Sequence, residues 1–123
     1  MKLSTIKLRG EEYPLIFSAW VIDQIQDHGN GDVEEELDRI LNSSRVKDML
    51  WLLSLFLQGG YEAAKILGND AKKPPTYEEL MFLTQVTEFG EIGDAIRNAV
   101  AASHPDVQLA DDKKNVNTTR PEA

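Results

Sequence analysis

The run RVKDMLWLLSLFL, Arg45 to Leu57, holds nine apolar residues in thirteen. Wound into a helix at about 3.6 residues per turn, those side chains cover nearly the whole circumference. No face of such a helix is suited to water. Either its own domain encloses it or another chain covers it. The most apolar part, MLWLLSLFL, is about half the length that a membrane-spanning helix needs, so the bilayer is not a third option. A chain of 123 residues has few other helices with which to surround a central one, and both arrangements stay open from the sequence. Trp51 belongs to this run and serves either as core or as an interface anchor.

The segments on either side supply the candidate partners. LSTIKLRGEEYPLIF alternates well enough for two strands, with Tyr13, Leu15 and Phe17 on one face and Arg9-Gly10-Glu11-Glu12 as the turn. Pro14 cannot donate a ladder hydrogen bond, so the second strand is an edge or starts after it. A two-stranded hairpin is marginal alone and must lie on helices. Ser18 is placed to cap a first helix that Gly29-Asn30-Gly31 stops, and Trp20 is expected to pack the hairpin against it. Asp32 and Glu35 stand at capping-box spacing before VEEELDRIL, whose Val33, Leu37, Ile40 and Leu41 share a face. Gly59-Gly60 reads as a hinge after the apolar helix, leading into a short amphipathic piece, YEAAKILG.

A double-proline loop follows, and Thr76 opens a second capping box, TYEE. In FGEIGDAIRNAVAA, Phe89, Ile92, Ile96 and Val100 recur at helical spacing, with Gly90 and Gly93 expected to admit a neighbouring helix. His104-Pro105 ends that helix, and the polar remainder reads as a disordered tail. The expected fold is mainly α: one helical domain over 1–103 of about five helices, with an N-terminal β-hairpin over about 3–17 and a disordered tail over 104–123.

Charge and chemistry narrow the function. The net charge is −8, and Glu11 to Asp38 contains nine acids with no lysine or arginine, so no basic stripe for phosphate contacts is present and nucleic acid binding is not expected. A solvated acidic face is the simplest reading, and a basic partner is the alternative. There is no cysteine, which excludes disulfides, thiolate metal sites and cysteine nucleophiles. MKLSTIKLRG lacks the apolar segment of a secretory signal, so a cytoplasmic protein is expected. His28 and His104 have no ligand partner at metal spacing. Asp23 and Asp27 lie one turn apart, but without further oxygen donors a solvent-facing acidic stripe explains them better. GNGD, Gly29 to Asp32, reads as a turn, because the acids that follow it would repel a phosphate. No catalytic, cofactor or metal site emerges, and a binding or assembly protein is expected rather than an enzyme.

One order of elements adds to this. A short basic strand is followed by G-E-x-Y-x-L-x-F (Gly10, Glu11, Tyr13, Leu15, Phe17), a helix ending at Gly29 and an acidic amphipathic helix. Then come the apolar helix ending in Gly-Gly, PPTYEEL and a last helix ending IRNAVAAS. Over about residues 3–103 this succession resembles the small tail assembly chaperones of long-tailed bacteriophages and prophages. The resemblance implies a non-structural protein of the host bacterial cytoplasm that binds the tape measure protein, with tail tube protein as a further partner, and that keeps this long helical client soluble until the tube polymerises around it. It also implies a longer product made by ribosomal frameshifting. Lys113-Lys114 is where a slippery run of codons would fall, although a plain lysine pair in a polar tail is the simpler reading. Within that reading Trp51, Leu52, Leu55 and Phe56 are the expected client contacts, with self-association covering them when no client is present. The alternatives are a structural virion component, such as a head–tail connector or minor tail protein, and an acidic DNA mimic that inhibits a basic host protein.

Overall fold

The computed structural model describes residues 3–29, 31–43 and 45–103. It begins with an antiparallel hairpin of β1 (Ser4–Leu8) and β2 (Glu11–Leu15), paired Ser4 to Leu15 and Leu8 to Glu11 at its two ends. The turn is shorter than the sequence suggests: Arg9 and Gly10 form it alone, at φ of 48° and 84°, and Glu11 and Glu12 join the ladder. Two consecutive positive φ values make the turn whose twist matches that of the flanking strands. Pro14 sits inside β2, opposite Thr5. Counting outward from a two-residue turn, hydrogen-bonded and non-bonded pairs alternate, and Pro14 falls on a non-bonded one. Its missing N–H therefore costs the ladder nothing, and its carbonyl points away from β1.

Five helices follow: α1 (Ala19–His28), α2 (Val33–Ser43), α3 (Val46–Ile66), α4 (Tyr77–Leu83) and α5 (Phe89–Ser103), with a 3-10 turn at Val86–Glu88 before the last. Ser18 stands at the N-cap of α1 but makes no side-chain capping bond. Asp32 caps α2 by accepting from the Glu35 N–H at 3.1 Å. The Thr76 box is complete, with the Thr76 hydroxyl accepting from Glu79 N–H and the Glu79 carboxylate accepting from Thr76 N–H.

α3 is the axis of the domain. It contacts β2, α1, α2, α4 and α5, which bury most of its apolar side chains and leave Gln58, Glu62 and Lys65 facing outward. Leu50, Leu52, Leu53, Phe56 and Leu57 are buried to 1% exposure or less, and the Phe56 ring stacks on Phe17 with centroids 5.8 Å apart. The hairpin contributes Ile6, Leu8 and Leu15, the segment after it Phe17, α2 contributes Leu37, Ile40 and Leu41, and α5 contributes Ile92, Ile96 and Val100. No helix among the described residues is long and apolar enough to cross a membrane.

Three local expectations are corrected. Gly59-Gly60 is not a hinge: α3 runs unbroken through both to Ile66, because the glycines serve close packing instead. A Cβ on Gly60 would run into the Pro14 carbonyl, and one on Gly59 would stand 2.9 Å from Val21 Cγ2. Trp20 does not pack the hairpin. It is 45% exposed, since α1 turns the Val21–Ile25 stripe inward and Trp20 lies about 100° round the helix from Val21. In α5, a Cβ on Gly90 would meet open space and one on Gly93 would meet only Arg97 of the same helix, so neither glycine admits a neighbouring helix. The tail expected over 104–123 lies outside the described residues.

Candidate functional site

The expected client contacts divide sharply in the fold. Leu52 and Phe56 are fully buried and Leu55 is 8% exposed, so these three are part of the domain's own core. Trp51 is partly buried, on the side of α3 that faces the end of α1. Enclosure is possible in so small a chain because the hairpin and four short helices each present an apolar stripe to a single central helix. Leu52, Leu55 and Phe56 are thus closed to a partner in the free domain, and apolar surface open to one lies elsewhere.

The exposed apolar side chains fall in a few places. Trp20 and Val46 are each a single half-exposed apolar residue in their stretch of the chain, which is ordinary for a globular surface. Ile66 and Leu67 end α3. Met81, Phe82, Leu83 and Val86 instead follow one another across α4 and into the 3-10 turn, with Phe82 89% and Val86 80% exposed. The helical repeat explains the exposure. α4 is anchored through Leu80, and Phe82 lies about 200° round the axis from it, nearly opposite the core. Covering a phenylalanine so exposed is worth roughly 1.5–3 kcal/mol, a burial that the fold itself leaves unused.

The hairpin fixes this corner. Arg9, held at positive φ in the β turn, donates from Nη1 to the Leu83 carbonyl at 3.3 Å and to the Glu88 carboxylate at 3.3 Å. The Leu83 carbonyl belongs to the last turn of α4, where helix carbonyls lack intrahelical partners. One guanidinium thus ties the end of α4 to the 3-10 turn that precedes α5.

A second polar assembly joins α1, α2 and α3. Glu36 is 8% exposed and accepts from Arg39 Nε at 3.2 Å and Nη2 at 2.6 Å, while His28 Nδ1 stands 2.9 Å from the same carboxylate. Arg39 continues to Asp48 at 3.5 Å, and the His28 ring stacks on Trp51 with centroids 4.1 Å apart. The Arg39 hydrogen bonds hold the Glu36 carboxyl below its ordinary 4.5; burial opposes them and the His28 contact adds to them. With both carboxylate oxygens engaged, this is a clamp between helices. Asp23 and Asp27 are exposed, and among the described residues no three His, Cys, Asp or Glu side chains converge as a metal site.

Comparison with protein-family models, with curated proteins and with solved structures finds no match for the chain. The α4 surface is visible in the sequence as LMFL, four consecutive apolar residues that cannot share one face of a helix, and the fold buries only Leu80 among them.

Proposed function

We propose that the chain is a tail assembly chaperone of a long-tailed bacteriophage or prophage, acting in the host cytoplasm as a binding protein on the tape measure protein, with the α4 corner as its client surface. The observation that carries this is the outward apolar run Met81, Phe82, Leu83 and Val86 on a domain whose core is otherwise closed. A long helical client exposes amphipathic stripes before the tube encloses it, and an apolar helix face rimmed by charge suits such stripes while keeping the complex soluble. The order of elements from the basic strand to IRNAVAAS supports the same reading.

The test is co-expression with the tape measure protein of the same phage. The soluble fraction of the client should rise with the wild-type chain and not with the Phe82→Ser/Val86→Ser double variant, and purified particles should lack the chain. Client that aggregates equally with and without the chain would overturn the reading. So would recovery of the chain from purified virions at a fixed copy number, which would make it a virion component.

A further inference from the structure

We infer that the α4 corner is shaped for a basic amphipathic helix, whose apolar stripe covers Phe82, Leu83 and Val86 and whose flanking lysines or arginines meet an acidic rim. This rests on the client-binding reading above and adds to it the charge of the helix that is bound.

The rim follows from the sequence and the fold. From Tyr77 to Asp94 the chain carries Glu78, Glu79, Glu88, Glu91 and Asp94 and no lysine or arginine. The fold brings Arg9 to this stretch, but that guanidinium is engaged by Glu88 and the Leu83 carbonyl. Glu79 is engaged at the Thr76 cap. Glu78, Glu91 and Asp94 are exposed and make no ion pair among the described residues. Glu78 stands one helical turn before Phe82, on the same outward face of α4. Glu91 and Asp94 occupy the first turns of α5, directly after the Val86–Glu88 turn. Negative charge thus brackets the apolar residues on both sides along the chain.

This charge selects the occupant. A second copy of the chain meeting this face through a two-fold axis would set an identical acidic rim against it, and an acidic helix would suffer the same repulsion. A helix with basic flanks gains on both counts, through apolar burial at Phe82 and steering by opposite charge.

Two fluorescein-labelled synthetic helices with the same leucine stripe, one flanked by lysine and one by glutamate, are titrated with the full chain by fluorescence anisotropy. The lysine peptide should bind and the glutamate peptide should not. Phe82→Ser/Val86→Ser should weaken the lysine peptide at least about tenfold. Glu78→Gln/Glu91→Gln/Asp94→Asn should weaken it several-fold, as should raising the salt from about 50 mM to about 500 mM. All the substituted side chains are exposed, so circular dichroism of both variants should match the wild type. Equal binding of the two peptides overturns the inference, as does lysine-peptide binding that ignores the Phe82/Val86 change. A dimer seen in sedimentation that the same change dissolves, with neither peptide bound, also overturns it. If the peptides bind equally but the tape measure protein is still kept soluble, the inference fails and the chaperone reading stands. If the lysine peptide binds as expected but the tape measure protein is not kept soluble, the surface is supported and the named client is removed.

Discussion

Gly60 occupies the middle of α3, where glycine weakens a helix, because the Pro14 carbonyl of β2 fills the space that a side chain would need. Backbone at that distance cannot swing aside, so Gly60→Ala is expected to cost about 3 kcal/mol in urea denaturation. Gly90→Ala faces open space and should instead stabilise by roughly 0.5 kcal/mol. If the two substitutions gave similar values, close packing would not explain Gly60. Glu36 yields a prediction in pH. Its carboxyl is lowered in the folded state, chiefly by Arg39, so its contribution is present above the unfolded value and is lost as pH falls through the folded one. Glu36→Gln should therefore cost about 1.5 kcal/mol at neutral pH, and its difference from wild type should shrink as the solution is acidified below about pH 4. A gap that stayed constant down to about pH 2 would contradict the ion-pair origin.

At the scale of elements, α4 is a short helix with little of its own to hold it: Leu80, a half-buried Tyr77, the Thr76 box and the Arg9 tether. Thr76→Ala is expected to lower stability by about 1 kcal/mol. Hydrogen exchange should show the loss first at the α4 amides, with the centre of α3 little changed, because the cap acts on a helix that is only lightly anchored. Uniform loss of protection would mean that α4 unfolds only with the whole domain. The sequence displays this element well, through TYEE and the following apolar residues. The outward direction of Phe82 is less apparent, since it depends on Leu80 being the residue that docks. α3 shows the reverse case: its apolar run is plain, but whether Gly59-Gly60 interrupts it depends on what packs there. A hinge and a close-packed crossing use the same two residues.

For the molecule as a whole, the division between core and surface can be tested with one residue type. Phe56→Ala removes a fully buried ring stacked on Phe17 and should cost about 3–5 kcal/mol, enough to unfold much of a marginally stable domain. Phe82→Ala should leave the thermal midpoint nearly unchanged. Comparable losses from both would place Phe82 in the core. The double replacement of Leu52 and Phe56 by serine should likewise abolish the helical signal rather than binding alone, since both side chains are fully buried.

The sequence alone determines the order of elements, the hairpin at the start, the caps at Asp32 and Thr76, and the apolar faces of α2 and α5. Each depends on residues within a few positions of one another, whose spacing and turn chemistry are local. The tertiary structure decides what lies across from what. It shows that Met49 to Leu57 of α3 are largely buried by their own chain, that Pro14 is tolerated because it falls on a non-bonded pair, and that Arg9 reaches across to Leu83 and Glu88. It also buries Leu52, Leu55 and Phe56 in the core and leaves Met81, Phe82, Leu83 and Val86 exposed at the α4 corner. An apolar side chain carries the same drive to leave water wherever it stands, and only the packing of distant segments decides which of them are covered.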